Sequence, residues 1–139
     1  MIKQITKTVT ALSITIMAVL AVGNSAAASP TDEEAFGLML LEVVKNDGTV
    51  VSAVLDCPPE LSASGHPEAE ASCSQLIGAN GYVSDIEPAS DTACTMHLEP
   101  TTVRMTGIWN GEFRQYEETH SNPCVAITTT GGNLFSFIN

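Results

Sequence analysis

Four cysteines constrain what this chain can fold into more than any other feature of its sequence. All of them follow an N-terminal stretch with the pattern of an export signal, and an even number of cysteines in an exported protein predicts disulfide bonds, here two. A structural zinc site is disfavoured because no two cysteines have the short spacing that such sites require. Three pairings are open from the residues alone, and the sequential one is the simplest. The cysteines are Cys57, Cys73, Cys94 and Cys124.

The N-terminus has the three-part pattern of a secretory signal peptide. Two lysines precede an apolar run at residues 9–22, and the alanines at 26–28 suit signal peptidase. A transmembrane anchor is the alternative, but the run is shorter than the roughly 20 residues that span a bilayer. We therefore predict a signal peptide at 1–28, one mature domain at 29–139, secretion to the extracellular space and no membrane association after cleavage.

The mature part is strongly acidic. All 16 carboxylates of the chain lie beyond residue 31, against three basic side chains, Lys45, Arg104 and Arg114. Because phosphate binding depends on basic side chains, nucleic acid is excluded as a partner. An acidic surface is otherwise a common route to solubility, and that accounts for most of these carboxylates.

Apolar runs and turn residues predict an α+β fold. The runs at 36–44 and 49–55 flank an Asn-Asp-Gly turn and indicate an antiparallel hairpin. Pro67, followed by acidic residues and an apolar stripe, predicts a helix that ends at Gly78 or Gly81. Such a helix would bring Cys73 within reach of the preceding strand.

Further strands are predicted in the C-terminal half. Segments 101–109 and 112–120 alternate on either side of Asn-Gly, the strongest short hairpin signal in the chain. Segments 125–130 and 134–138 are predicted as two more strands joined by a turn. The expected domain is a sheet of about five antiparallel strands with one or two helices packed on one face and two disulfides.

One stretch, residues 91–100, follows neither a helical nor a strand period. Cys94 anchors it and Pro100 stiffens its end, so it is predicted to be an ordered loop. Met96 lies between polar residues and belongs to no apolar period, which favours an exposed side chain over a core position. Because a held loop loses little conformational entropy when another protein grips it, we predict that this loop is the functional part.

No enzyme site is evident in the sequence. It lacks a Gly-x-Ser-x-Gly nucleophile elbow, a phosphate-binding glycine loop, a His-Glu-x-x-His pair and calcium-loop spacing. His66, His97 and His120 lie far apart, so solvated surface histidine is favoured over a metal ligand or a base. A Cys–His dyad is disfavoured because the cysteines are expected to be oxidised. We predict a non-enzyme with no cofactor and no bound metal.

A combination of short motifs in one order points to a known family. The four cysteines, Gly-His-Pro, Gly-x-Trp-x-Gly and Ser-Asn-x-Cys together make the mature domain resemble the Streptomyces subtilisin inhibitor family over essentially its whole length. The stretches that carry the resemblance are 55–58, 65–67, Cys73, 94–100, 106–111, 116–117, 121–124 and 134–137.

The resemblance implies a secreted homodimer that inhibits subtilisin-like serine proteases, and no enzymatic activity. It also implies sequential disulfides, Cys57 with Cys73 and Cys94 with Cys124, and a five-stranded antiparallel sheet with a helix. Methionine is long, unbranched and apolar, so it suits the roomy hydrophobic pockets of subtilisin-like and chymotrypsin-like enzymes.

The resemblance also implies roles for individual residues. The scissile bond would join Met96 to His97, and Met96 would fill the main pocket of the protease. If that bond is cut, the cross-link and the sheet would hold the new amine near the acyl-enzyme, so that religation competes with hydrolysis. Around this bond, the reactive loop would comprise Ala93, Cys94, Thr95, Leu98 and Glu99. Residues Ala93 to Thr95 would pair with the protease as an added strand. Asn122 would support the loop from behind through hydrogen bonds.

The alternative from another class is a secreted interaction domain on the same fold. Such a domain would bind something else or serve as a substrate of another extracellular enzyme. The inhibitor hypothesis requires Met96 to be exposed on a supported loop, whereas the alternative does not.

Overall fold

The computed structural model of the chain describes residues 35–58 and 65–138. The predicted signal peptide at 1–28 lies outside the described residues, as does the start of the predicted mature domain. No helix within the described ranges is long and apolar enough to cross a membrane.

The described residues form one antiparallel sheet of four strands in the order β2-β1-β3-β4. The predicted hairpins on either side of the Asn-Asp-Gly and Asn-Gly turns are confirmed. At the second turn Asn110 and Gly111 both have positive φ, 48° and 79°, as a two-residue hairpin loop requires. The strands are β1 (Gly37–Val44), β2 (Val50–Cys57), β3 (Thr101–Trp109) and β4 (Glu112–His120).

Two α-helices accompany the sheet, α1 (Ala69–Gly78) and α2 (Pro123–Thr129). Helix α1 was expected from Pro67 onward, and it starts two residues later with Glu68 as its N-cap. Short 3-10 turns follow at Val83–Asp85 and Ser136–Ile138.

The prediction of two strands at 125–130 and 134–138 is wrong, so the described sheet has four strands and not five. Asn122 caps α2 by accepting the Val125 N–H at 3.0 Å, and a proline follows in the first helical turn. The threonine-rich sequence resembles a strand, but the Thr130 hydroxyl donates to the Ala126 carbonyl at 2.7 Å. Local capping and these side-chain bonds therefore override the strand preference of β-branched residues.

The core lies on one face of the sheet, beneath α1, α2 and the C-terminal turns. Trp109 is fully buried and contacts the backbone at Gly37 and Gly81. A β-carbon added at either glycine would lie 2.3 or 2.4 Å from the indole ring, so only glycine fits there. The other large buried side chains of the core are Met39, Leu41, Val43, Leu55, Leu76, Val103, Met105, Leu134 and Phe135.

Both disulfides have the sequential pairing, as predicted. Cys57–Cys73 ties α1 to the end of β2, and Cys94–Cys124 ties the loop before β3 to α2. The Cα–Cα distance is 5.6 Å in each bond. The second disulfide thus links the predicted functional loop to the scaffold.

Two of the three histidines are buried, which corrects the prediction of solvated surface side chains. His66 and His120 are only 5% and 8% exposed. The His66 ring accepts the Glu68 N–H at Nδ1 and lies 2.9 Å from the Leu134 carbonyl at Nε2, so Nε2 carries the proton. Because backbone groups satisfy both ring nitrogens, this histidine can sit inside the domain.

Candidate functional site

The loop that leads into β3 is the most exposed part of the described chain. Residues 95–100 are all exposed and have no regular secondary structure. The side chain of Met96 is 98% exposed and that of Leu98 is 81% exposed. Both apolar side chains are therefore available for contact with another molecule.

Backbone contacts hold both ends of this loop. The Ala89 N–H donates to the Thr128 carbonyl at 2.8 Å, and the Glu99 N–H donates to the Ser121 carbonyl at 2.7 Å. The Thr101 hydroxyl donates to the Glu99 carbonyl at 2.9 Å. With the Cys94–Cys124 disulfide between these points, the exposed tip is short and its flanks are fixed.

Asn122 lies directly beneath the tip and is only 1% exposed. Its Nδ2 donates to the Thr95 carbonyl and to the His97 carbonyl, each at 3.0 Å. Its Oδ1 accepts the Val125 N–H, so the start of α2 sets the orientation of the amide. One side chain therefore holds the carbonyls on both sides of Met96, whose own side chain remains in solvent.

A second set of contacts lies on the exposed side of the loop. The Thr95 hydroxyl is 2.6 Å from Nδ1 of His97, and Nε2 of His97 is 3.4 Å from a carboxylate oxygen of Glu99. About half of the side-chain surface of His97 and of Glu99 is accessible to solvent. Thus two separate sets of hydrogen bonds connect the residues on either side of Met96, one through the Asn122 amide and one between the side chains of Thr95 and His97.

A groove of about 450 Å³ lies between the loop and α2. Met96 does not line this groove, but His97, the next residue of the tip, does. Its lining is largely apolar and carries no carboxylate; the residues are Thr92, His97, Pro123, Cys124, Ile127, Thr128 and Gly132.

The loop can be bound by another protein, but the described residues offer neither a metal site nor a free cysteine nucleophile. Within residues 35–58 and 65–138 no group of three or more histidine, cysteine or acidic side chains could hold a metal ion. All four cysteines are in disulfides, so none is available as a nucleophile.

The loop residues and the loop support named from the sequence lie in one place, at the tip and immediately behind it. The contact that sequence reasoning missed is the Thr95–His97–Glu99 chain, since side-chain pairing within an irregular loop leaves no periodic signal.

Comparisons with known proteins point in one direction. The family model described as subtilisin inhibitor-like matches residues 37–122. The chain is 36% identical over 91 residues to the transglutaminase-activating metalloprotease inhibitor of Streptomyces mobaraensis, a match that covers 65% of this chain and 60% of that protein. It is 35% identical over 109 residues to subtilisin inhibitor-like protein 15 of Streptomyces bikiniensis, covering 70% and 94% of the two chains.

A solved structure shows the same fold. Streptomyces caespitosus sermetstatin, crystallised in complex with Bacillus licheniformis subtilisin, superposes with a TM-score of 0.55 at 25% sequence identity. The superposition covers 72% of this chain and 96% of that chain.

Proposed function

This chain belongs to the subtilisin inhibitor-like family, and from this membership we propose that it is a secreted inhibitor of subtilisin-like serine proteases. Members of this family are inhibitors and not enzymes. The proposed reactive bond joins Met96 to His97, with Met96 as the side chain that enters the main specificity pocket of the protease.

One observation carries this proposal: Met96 is 98% exposed while the carbonyls on either side of it are held by a buried amide. A serine protease must receive the Met96 carbonyl at its nucleophile and oxyanion hole. A loop already fixed in shape loses little entropy on binding, so most of the contact energy remains as affinity. Residues Ala93 to Thr95 would add to the protease as an edge strand.

The same restraints would slow hydrolysis. If the bond after Met96 is cut, the Cys94–Cys124 disulfide holds the acyl side, and the Glu99–Ser121 hydrogen bond holds the amine side. The new amine then stays beside the acyl-enzyme at high effective concentration, and religation competes with attack by water. Binding would therefore be followed by very slow net cleavage.

The chemistry of Met96 indicates the class of protease. An uncharged, flexible apolar side chain fits a roomy hydrophobic pocket, such as that of subtilisin-like or chymotrypsin-like enzymes. It has no charge to pair with the acidic pocket of a trypsin-like enzyme. The sermetstatin structure, solved with a subtilisin, supports the first class.

The test is a titration of subtilisin with the oxidised mature domain, following residual activity. We expect a sharp endpoint at one domain per protease, and we expect Met96→Asp to abolish it while the matched apolar variant Met96→Leu retains it. Full residual activity, or steady cleavage at Met96 without inhibition, would reject the proposal. The domain would then be a binding module on the same fold or a substrate of another extracellular enzyme.

We also propose that the domain forms a homodimer through the outer face of its sheet. The β1–β3 and β3–β4 pairings place Leu38, Ile108 and Phe113 side by side, with Leu40 in the next row. These side chains are 41–64% exposed. A contiguous apolar patch on this face favours a second copy, because the same patch on both copies can be buried and removed from water in a two-fold interface.

The dimer can be tested by sedimentation equilibrium of the oxidised domain. We expect a dimer that Ile108→Lys converts to a monomer, because a lysine at the centre of the patch would be desolvated in the interface. The control, Leu98→Lys, changes an exposed apolar residue outside the sheet and should leave the dimer intact. A monomer in the unsubstituted domain would reject this proposal.

Secretion is proposed from the export pattern of residues 1–28. The full chain, expressed in a bacterium with a general secretion pathway, should appear in the medium with its N-terminus at Ser29. Mass spectrometry of the secreted protein measures this directly. Retention of the intact chain in the cell would contradict it.

A further inference from the structure

We propose that Thr95 and Glu99 are positioning residues that hold the ring of His97 and thereby tie the two sides of the scissile bond together. We call the contacts of the His97 ring with Thr95 and Glu99 the bridge. The bridge is present in the free domain, whereas its effect on a protease rests on the proposed inhibitory function. The bridge is distinct from the support by Asn122, because it joins side chains of the loop, whereas Asn122 holds the backbone carbonyls of Thr95 and His97.

The geometry uses both nitrogens of the His97 ring. Nδ1 is 2.6 Å from the Thr95 hydroxyl, a short and strong hydrogen bond. Nε2 is 3.4 Å from the Glu99 carboxylate, a longer and weaker contact. The ring is thus hydrogen-bonded to Thr95, which precedes Met96, and makes a weaker contact with Glu99, which lies two residues after His97.

The neutral ring can make both contacts at once. With the proton on Nε2, Nδ1 accepts the Thr95 hydroxyl proton and Nε2–H lies 3.4 Å from the Glu99 carboxylate. The groove that His97 lines has no carboxylate, and among the described residues Glu99 supplies the carboxylate within 4.0 Å of the ring.

The position of the bridge determines its effect on the reactive bond. If the bond after Met96 is cut, His97 carries the new amine, and Thr95 belongs to the acyl side. The Thr95–His97 hydrogen bond then joins the two new ends directly, while Asn122 joins the same two residues from behind. Two separate ties resist separation of the ends more than either alone.

Contact with a protease would strengthen the bridge. The side chains of His97 and Glu99 are 52% and 48% exposed in the free domain, so water competes for their polar contacts. A bound protease would exclude that water and lower the local dielectric, which makes each remaining hydrogen bond stronger. The bridge therefore holds the loop most strongly in the complex with the protease, where the Met96–His97 bond can be hydrolysed.

The first test is a double-mutant cycle on inhibition of subtilisin. Thr95→Val removes the hydroxyl at nearly constant shape, and His97→Phe keeps a ring without nitrogens. Each should raise the inhibition constant about 5- to 15-fold, the range expected for one hydrogen bond that is shielded from water. The double variant should be no weaker than His97→Phe alone, and Thr95→Ser, which keeps the hydroxyl, should inhibit like the unsubstituted domain.

Two further measurements separate a positioning role from a general structural one. After long incubation with catalytic subtilisin, the ratio of cleaved to intact inhibitor should rise in Thr95→Val but not in Thr95→Ser. In the free domain, nitrogen NMR shifts of His97 should show an Nε2–H tautomer that Thr95→Val weakens. Glu99→Gln should change the same signals less, in keeping with its longer contact.

The outcomes distinguish this inference from the proposed function. If the unsubstituted domain inhibits but the two substitutions are additive, the bridge is rejected and the inhibitor function stands. If the domain does not inhibit subtilisin, the NMR comparison of Thr95→Val with Thr95→Ser still decides whether the bridge exists. Identical His97 signals in both variants would overturn it.

Discussion

The side-chain nitrogen of Asn122 lies 3.0 Å from the carbonyl oxygen of His97, a residue 25 positions earlier in the chain. The same nitrogen donates to the Thr95 carbonyl, and the oxygen of the same amide caps α2. The fold of the helix and the shape of the loop therefore depend on one buried side chain. These hydrogen bonds explain how the backbone at Met96 is held in place although the Met96 side chain packs against nothing.

Substitutions at Asn122 can separate helix capping from loop support. Serine is a good N-cap but is too short to reach the loop carbonyls, whereas alanine can do neither. We expect Asn122→Ser and Asn122→Ala to weaken subtilisin inhibition by a similar factor. We expect Asn122→Ala to lower the free energy of unfolding by about 1 kcal/mol more than Asn122→Ser.

Inhibition titrations and urea unfolding measure these two effects independently. If Asn122→Ser inhibited as well as the unsubstituted domain, the amide donors would not be needed to hold the loop, and the support role would be lost.

The specificity of the loop should follow the side chain at position 96. Met96→Lys places a positive charge where the apolar side chain was, and it should weaken inhibition of chymotrypsin-like enzymes and create inhibition of a trypsin-like enzyme with an acidic pocket. Since Met96 is 98% exposed, the free energy of unfolding should change by no more than about 0.5 kcal/mol. Inhibition constants against the two enzymes and a thermal melt test this; an unchanged preference would mean that Met96 does not enter the pocket.

The two disulfides should make similar contributions to stability, slightly larger for the longer Cys94–Cys124 loop, but unequal contributions to function. Removing either pair by alanine substitution should lower the free energy of unfolding by about 3 to 4 kcal/mol on the chain-entropy model. Only the loss of Cys94–Cys124 frees the loop, so only that variant should be cleaved rapidly after Met96. The rate of proteolysis, followed by mass spectrometry at a temperature where both variants are folded, checks this. Equal cleavage of the variant without Cys57–Cys73 would contradict it.

Stability at high pH should depend on Tyr116. Partial burial, the hydrogen bond to Glu118 and the charge of Glu118 raise the pKa of this phenol above its ordinary value of 10.0. The native state then keeps a proton that the unfolded chain loses, so this stabilisation is fully present below about pH 10 and is lost as the pH rises through the folded-state pKa. The free energy of unfolding should therefore fall with rising pH above that point.

The matched variant for this effect is Tyr116→Phe, with Tyr82→Phe as the control. Urea unfolding at about pH 8 and about pH 11 should show a smaller drop for Tyr116→Phe than for the unsubstituted domain or the control. Parallel drops in all three proteins would rule out a role for Tyr116.

Features written in local sequence were predictable. The Asn110–Gly111 turn depends on two residues that tolerate positive φ, and the β3–β4 hairpin follows from it. The exposure of Met96 agrees with its polar neighbours and with the absence of an apolar period around it. The disulfide pairing was implied by family motifs, whereas the spacing of the cysteines alone left three choices.

Features that depend on partners distant in the sequence were not predictable. The buried positions of His66 and His120 could not be read from their neighbours, because backbone groups elsewhere in the fold satisfy them or surround them. The C-terminal helix was mistaken for a strand because β-branched residues favour strands on average, and a single cap reversed that preference.

The sequence by itself determined the hairpins, the loop with its exposed methionine and the family to which the domain belongs. These follow from turn chemistry, hydrophobic pattern and motif order, all of which act over a few residues. Only the tertiary structure decided that β1 lies between β2 and β3, and that Asn122 stands behind the loop. The physical reason is that a hydrogen bond across 25 residues exists only once packing of the sheet and α2 has brought its two ends together.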